Sequence, residues 1–362
     1  HCSRFDFMKS FLILSIIISQ IYINTVRAQF DFFKPSTSIG GYGELHYNVK
    51  QADGKETSKN FDFHRFVIFL NHSFSEKWSF RAEVELEHNF VSDGEGELSL
   101  EQAYINYHMS QYLGFQAGVI LNSVGLVNEF HEPPLFLSVE RQNYNKYIIP
   151  TTWFGNGISA YGMFKGFDYK LNIMEGLNSD KFSLDSGIRN GRQKGFESDA
   201  KNLLYNLKID YWNIPGLKVG GSYTYNKASG DTTEIPIQLF EVHAQYRQYQ
   251  FILNIEYGNI SYENSELKQS RGFYVDLGYN LGSLFVWESK LIAFIRYSDY
   301  NTAASTVSGG EYEKKYHNKI WMLGISFLPI PQVVLKGDYS ENRVQLDSKK
   351  TKYFNLGIGY MF

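Results

Sequence analysis

The residues best placed to do chemistry lie between Asn122 and Gly157. His131 and Glu132 stand side by side there, the opening of the His-Glu-x-x-His pattern that binds zinc by presenting two histidines on one helical face. Pro133 and Pro134 follow at once and forbid that helix, and the second histidine is missing, so no zinc enzyme is expected. The chain has neither a Gly-x-Ser-x-Gly elbow nor a Gly-x-x-x-x-Gly-Lys phosphate cradle. A hydrolase built on a Ser-His pair stays open, because geometry rather than spacing identifies one, yet no serine is singled out. What remains is charge. Arg65, Arg81, Glu83, Glu85, Lys208, Asp210, Lys218, Glu241, Arg247, Glu256, Asp276, Glu288, Lys290, Arg296, Lys336 and Asp338 recur at one phase of alternating segments. Crowded charges at one constriction set the selectivity of an aqueous passage, whereas spread along a wall they only keep it hydrated.

Those segments supply the positioning. From Ser38 onward the chain reads as sixteen stretches of alternating polarity: 38–49, 61–74, 77–90, 97–109, 112–122, 156–165, 168–177, 200–212, 216–226, 237–247, 249–261, 270–281, 285–298, 317–327, 332–341 and 351–362. In the third, Trp78, Phe80, Ala82, Val84 and Leu86 fall on one side and Ser79, Arg81, Glu83, Glu85 and Glu87 on the other. In the twelfth, Val275 and Leu277 oppose Tyr274 and Asp276. A soluble sandwich alternates in the same way, so the connections must decide. Long polar connections follow the odd-numbered strands, and tight turns near Glu76, Gln111, Gly166, Pro215, Gln248, Gly282 and Pro331 follow the even-numbered ones. That order fits a closed up-and-down transmembrane barrel in the outer membrane of a Gram-negative bacterium.

One connection breaks the polar rule. Residues 123–155 carry three of the eight prolines and are rich in Phe, Leu, Ile, Tyr and Trp. A loop of that length and composition is functional and packed. It is expected to fold into the barrel and narrow it, with Leu135, Phe136, Ile148, Ile149 and Trp153 pinned to the wall. The constriction then draws on Glu129, His131, Glu132, Glu140, Arg141 and Lys146, and the pore wall on Arg65, Arg81, Glu83, Glu85, Lys218, Arg247 and Arg296. Since a lumen solvates polar groups, Asp276→Asn is expected to cost little.

Composition and termini narrow the class further. A net charge of −3, with 20% charged residues, offers no basic field for nucleic acid. Aromatics at 17% favour strands. Cys2 is the only cysteine, so no disulfide or cysteine metal site is expected in the mature chain. Residues 1–7 read as a non-native leader, 8–28 as a signal peptide ending at Val26-Arg27-Ala28, and 29–37 as a short periplasmic segment before a barrel at 38–362. Phe354, Leu356, Ile358, Tyr360 and Phe362 share one face of the last strand. Tyr360 and Phe362 resemble the terminal signal read by the barrel assembly machinery.

The runs GGYGELHYN, DFHRFVIFLNHSF, LEQAYINY and above all GVILNSVGLVNEFHEPPLFLSVERQNYNKYIIPTTWFGNGISAYG resemble outer-membrane porins related to the phosphate-selective O/P type. The resemblance spans essentially the whole mature chain. It implies a sixteen-stranded porin, often trimeric, whose third long loop enters the lumen. It does not carry phosphate selectivity, because this chain lacks the array of pore arginines and lysines on which that property rests. The expectation is a passive diffusion channel for small hydrophilic solutes or ions, without cofactor or enzymatic activity, in contact with outer-membrane lipid. Two alternatives stand beside it. One is an anion or phosphate channel using Arg141 and Lys146 with Arg189, Arg192 and Lys194; the other is a plugged barrel serving as enzyme or adhesin.

Overall fold

A computed structural model describes residues 33–362 apart from 93–94, 286 and 347–349; the expected leader and signal peptide lie outside the described residues. Among these residues the strands are β1 (Ser36–Ala52), β2 (Ser58–Ser73), β3 (Trp78–Ser92), β4 (Glu95–Ser110), β5 (Leu113–Leu121), β6 (Phe154–Phe164), β7 (Phe167–Met174), β8 (Leu204–Ile214), β9 (Leu217–Ser229), β10 (Glu234–Gln248), β11 (Phe251–Tyr262), β12 (Leu267–Asn280), β13 (Lys290–Thr306), β14 (His317–Ile330), β15 (Val333–Val344) and β16 (Lys350–Met361). Each strand pairs with its neighbours in the chain, and β1 pairs antiparallel with β16, so the sheet closes with no free edge. The fold is the expected all-β, sixteen-stranded antiparallel barrel.

Alternation sorts the side chains as period-2 geometry requires. Leu277 and Ile325 are half exposed on the outer face, as are Phe354, Leu356 and Ile358. Glu83, Asp276 and Arg296 point inward and are buried. Two connections depart from the expected order. Residues 91–92 and 95–96, expected in a loop, belong to β3 and β4, and the connection from β12 to β13 is not a tight turn, since Leu281–Phe285 forms a 3-10 turn and β13 starts only at Lys290. Glu288 therefore precedes the strand instead of facing the lumen from within it, and it is exposed along with Lys290.

Closure depends on small residues. The Gly41 N–H donates to Phe362 O at 3.0 Å and the Phe362 N–H to Gly41 O at 2.9 Å, with the Phe362 ring stacked on Phe66 at 6.1 Å. A Cβ on Gly41 would lie 2.1 Å from Val67 O and 2.9 Å from the Phe362 ring. The glycine run near the start of the chain is thus a requirement of the seam.

The long connection packs inside the barrel. Tyr144, Ile148, Ile149 and Trp153 of the long connection pack in one apolar cluster with Ile237, Leu239, Ile260 and Tyr274 of the wall and with Leu177 and Ile188 of the next long connection. Burying these side chains supplies the hydrophobic stabilisation that an open aqueous barrel lacks. The wall makes room for them: a Cβ on Gly258 would stand 2.7 Å from Tyr144 Oη, and one on Gly359 would stand 2.4 Å from Pro133 Cβ.

Candidate functional site

The segment from Asn122 to Trp153 is held inside the barrel by polar ties at its neck and along its length. At the neck Asn128 Nδ2 donates to Asn122 O at 2.7 Å and Trp153 O at 3.0 Å, while the Trp153 N–H donates to Asn128 Oδ1 at 2.7 Å. One buried amide thus links the entering and leaving arms. Farther along, Leu137–Val139 is fastened to the far wall. Ser326 Oγ donates to Leu137 O at 2.5 Å, Arg296 Nη1 to Ser138 Oγ at 2.7 Å, Lys336 Nζ to Ser138 O at 2.7 Å, and the Val139 N–H to Asp338 Oδ2 at 2.7 Å. The leaving arm is held by the next long connection, where Arg189 Nη1 donates to Lys146 O at 3.1 Å and Arg192 Nη1 to Thr152 O. Such buried bonds, several of them to charged groups, fix the loop's shape within the bore.

Three cavities of about 240, 200 and 250 Å³ lie around this loop. The first opens at the short-turn end, lined by Trp212, Lys218 and Arg247. The other two open at the long-loop end, one bounded by Glu97, Lys194 and Arg189 and the other by Lys50, Ser58 and Asn60. Arg141 lines all three. It donates to Thr152 Oγ1 at 3.2 Å and reaches His131 O at 3.4 Å. Glu140, which lines both long-loop cavities, accepts from Asn48 Nδ2 at 2.9 Å and lies 2.8 Å from His46 Nδ1.

Within the second cavity the charges are segregated. The wall contributes mostly acids, Glu44, Glu85, Glu87, Glu97 and Glu101 around Arg65, and the loops mostly bases, Arg141, Lys146, Arg189, Arg192 and Lys194 beside Glu140. The acids are largely paired: Arg65 Nε reaches Glu44 at 2.6 Å and its Nη1 reaches Glu85 at 3.6 Å, while Lys194 reaches Glu97 at 2.6 Å. Among the described residues Arg141, Lys146, Arg189 and Arg192 have no carboxylate within 4.0 Å. Burial, then the neighbouring Arg189, lowers Arg192 to about 9. Desolvation disfavours the charged guanidinium, and the like charge of Arg189 adds to it.

The expected site residues do not gather in one ring. Glu140 and Arg141 stand at the meeting of the cavities, and Lys146 is exposed beside them. Glu129 is turned to the other wall, where Lys170 Nζ reaches it at 2.9 Å and Lys208 Nζ at 3.2 Å. His131 is buried against Glu83 and Glu101, and the Glu132 Oε2 atom is buried too. Leu135 and Phe136 are half-buried and line the first cavity, whereas Ile148, Ile149 and Trp153 pack as expected. On the wall, Arg65 and Glu85 border the second cavity, while Lys218, Arg247 and Arg296 border the first. Arg81 lies over the Phe69 ring at 5.5 Å, and Glu83 contacts Gln102. Tyr360 and Phe362 sit at the seam.

Alternation alone misses two inward residues and does not single out a third, His46. Glu44 pairs with Arg65 and Leu45 with Phe63, which leaves His64 as an extra residue in β2, and Glu83 pairs with Gln102 and Val84 with Leu100, which leaves Glu101 extra in β4. Each bulge turns two successive side chains inward, so a strict period-2 reading assigns one of them to lipid. His46 carries no such excuse; its phase matches Glu44 in β1.

No family model matches the chain. A protein of Aquifex aeolicus (strain VF5), itself uncharacterised, is 34% identical over 354 residues, covering 91% of this chain and 80% of the relative. Solved barrels share the fold at low identity. The Salmonella typhi OmpF complex with daunomycin matches at 13% identity and a TM-score of 0.64, covering 90% of this chain and 97% of that one. The trimer form of Vibrio cholerae OmpT matches at 13% and 0.58, covering 91% and 100%. A mutant Rh. blastica porin matches at 12% and 0.51, covering 90% and 100%. The chain belongs to the same family as the Aquifex aeolicus protein, and its fold is the closed sixteen-stranded barrel seen in porins.

Proposed function

We propose that this barrel is a passive diffusion channel of the outer membrane, admitting small hydrophilic solutes or ions past a constriction at Glu140 and Arg141. The observation that carries the reading is the position of Arg141, which borders the cavity of the short-turn end and both cavities of the long-loop end. In this reading a solute moving between the ends passes that guanidinium. The outward apolar face fits lipid, and the likeness to porins supports the same location. Assembly as a trimer is carried over from the porin resemblance. Single-channel recording in a planar bilayer tests the reading: discrete conductance steps that grow on Arg141→Ser support it, and a silent barrel with or without that substitution favours a plug.

One observation favours the second reading, a preference for anions. Four cations around the second cavity, Arg141, Lys146, Arg189 and Arg192, have no carboxylate within 4.0 Å among the described residues, whereas Glu44, Glu85 and Glu97 each have a basic partner, so the cations without ion-pair partners lie on the loop side. Reversal potentials in a salt gradient decide it, with anion-over-cation permeability expected and the opposite sign counting against it. Nothing in the cavity distinguishes phosphate from other small anions.

A further inference from the structure

We propose that Glu83, Glu101 and His131 form a binding site for a divalent transition-metal ion that fastens the inward loop to β3 and β4. His131 comes from the loop, Glu83 from β3, and Glu101 is the bulged residue of β4. The site does not depend on the channel reading.

The three side chains are buried, at 2%, 1% and 3% exposure, and one ligand atom from each converges. His131 Nε2 lies 3.5 Å from Glu83 Oε1 and 3.5 Å from Glu101 Oε2, and all three atoms lie within 4.8 Å of one another. These same three atoms have no hydrogen-bond partner among the described residues. Two carboxylate oxygens and an imidazole nitrogen, desolvated and unbonded, carry a large penalty unless a cation joins them. A separation of 3.5 Å exceeds a good N–H···O hydrogen bond. It is close to the edge of a tetrahedron whose metal–ligand bonds are about 2.1 Å.

The surroundings prepare each ligand. His131 Nδ1 lies 3.0 Å from Asn128 O, to which it donates; this places the ring proton on Nδ1 and leaves the Nε2 lone pair pointing between the carboxylates. Gln102 Nε2 donates to the other oxygen of Glu83, Oε2, and so orients that carboxylate. The bulge that adds Glu101 to β4 is what turns it from lipid to lumen. Orienting groups of this kind accompany first-row metal ligands, and a site with one nitrogen and two carboxylates suits Zn²⁺ or its neighbours better than Ca²⁺ or Mg²⁺, which take all-oxygen shells. The two carboxylates neutralise the divalent charge, and water completes the coordination.

The competing account is an imidazolium held between two carboxylates with no metal. Titration of the full-length folded barrel with Co²⁺ separates the two. One equivalent per chain with visible d–d absorption is expected, displaced by Zn²⁺. Glu101→Gln, which removes a ligand, should weaken binding more than about 100-fold, and Gln102→Met, which removes an orienting group, about 10–100-fold. His64→Asn, which alters the separate lumenal histidines, should leave binding unchanged. Chelation should lower the melting temperature of the wild type and leave that of Glu101→Gln unmoved. If Glu101→Gln fails to give the heat-modifiable folded band, His131→Gln takes its place in the series. Absence of one bound equivalent in the folded wild type, or equal binding by Glu101→Gln or its replacement, overturns the site. A barrel that conducts yet binds no Co²⁺ overturns the metal site alone.

Discussion

Replacing Asp276 by Asn should destabilise the barrel substantially, against the expectation that a lumenal polar exchange is cheap. Asp276 forms a two-pronged pair with Arg296, Nε to Oδ1 at 2.5 Å and Nη2 to Oδ2 at 2.9 Å, with both side chains nearly inaccessible. At about 4 Å between charge centres and an effective dielectric of about 20, the lost attraction is about 4 kcal/mol. Removing one partner of a buried pair costs about 3–5 kcal/mol. Asn retains one acceptor, worth about 1–1.5 kcal/mol, and Arg296 borders two cavities from which water can reach it. The net expectation is about 2–3 kcal/mol. Leu277→Arg, one residue along on the lipid face, should cost about 2–4 kcal/mol near mid-membrane. Urea unfolding of wild type and both variants in lipid vesicles, followed by tryptophan fluorescence, gives the comparison. A double-mutant cycle with Arg296→Met should return most of the Asp276 cost as coupling. If Asp276→Asn unfolds within about 0.5 kcal/mol of wild type, the pair is hydrated and the packed-lumen account fails.

Other consequences follow from the same contacts. Gly359→Val should push Pro133 away, costing about 1–3 kcal/mol and raising single-channel conductance, because its Cβ would start 2.4 Å from Pro133 Cβ; unchanged conductance would show that the loop does not lean on β16. Deleting Phe362 removes both seam hydrogen bonds with Gly41 and should lower the yield of heat-modifiable barrel far more than it alters the conductance of the barrels that do fold. Asp180 accepts from Thr232 and Thr233, whose hydroxyls, followed by the Thr232 and Asp231 backbone amides, hold its carboxyl well below the usual carboxylate range. A depressed folded pKa gives a contact that is complete above the ordinary aspartate pKa and lost only as pH falls through the lower value. Protection of the Thr232 and Thr233 amides in hydrogen exchange should therefore persist at pH 4 and vanish in Asp180→Ala.

The barrel was legible because period-2 alternation and connection length are local signals. Val84, Leu277 and Phe354 face outward where the pattern places them. The loop's entry was legible from apolar residues that a solvent-facing loop would not hold, and Ile148, Ile149 and Trp153 pack accordingly. What escaped depends on departures from regularity. The bulges at His64 and Glu101 invert the phase for one residue, and no residue type in those strands announces them. The direction of each loop charge depends on which wall it meets: Glu129 finds Lys170 and Lys208, while His131 finds Glu83 and Glu101. Those meetings are set by a non-periodic chain path. Gly258 and Gly359 did carry a signal, since glycine inside a strand marks close approach of another backbone or side chain.

The central claim, that the loop forms the constriction at Glu140 and Arg141, is tested most directly by reversal potentials in a tenfold KCl gradient. Wild type is compared with Arg141→Gln, Glu140→Gln and the exposed long-loop pair Glu263→Gln and Glu311→Gln. Screening over about 8–10 Å hides charges in a wide vestibule, so only those at the narrow point should act strongly. The account predicts that Arg141→Gln moves selectivity toward cations, that Glu140→Gln moves it toward anions, and that the paired control moves it little. A control shift as large as either single substitution would place the selective narrowing elsewhere and contradict the account.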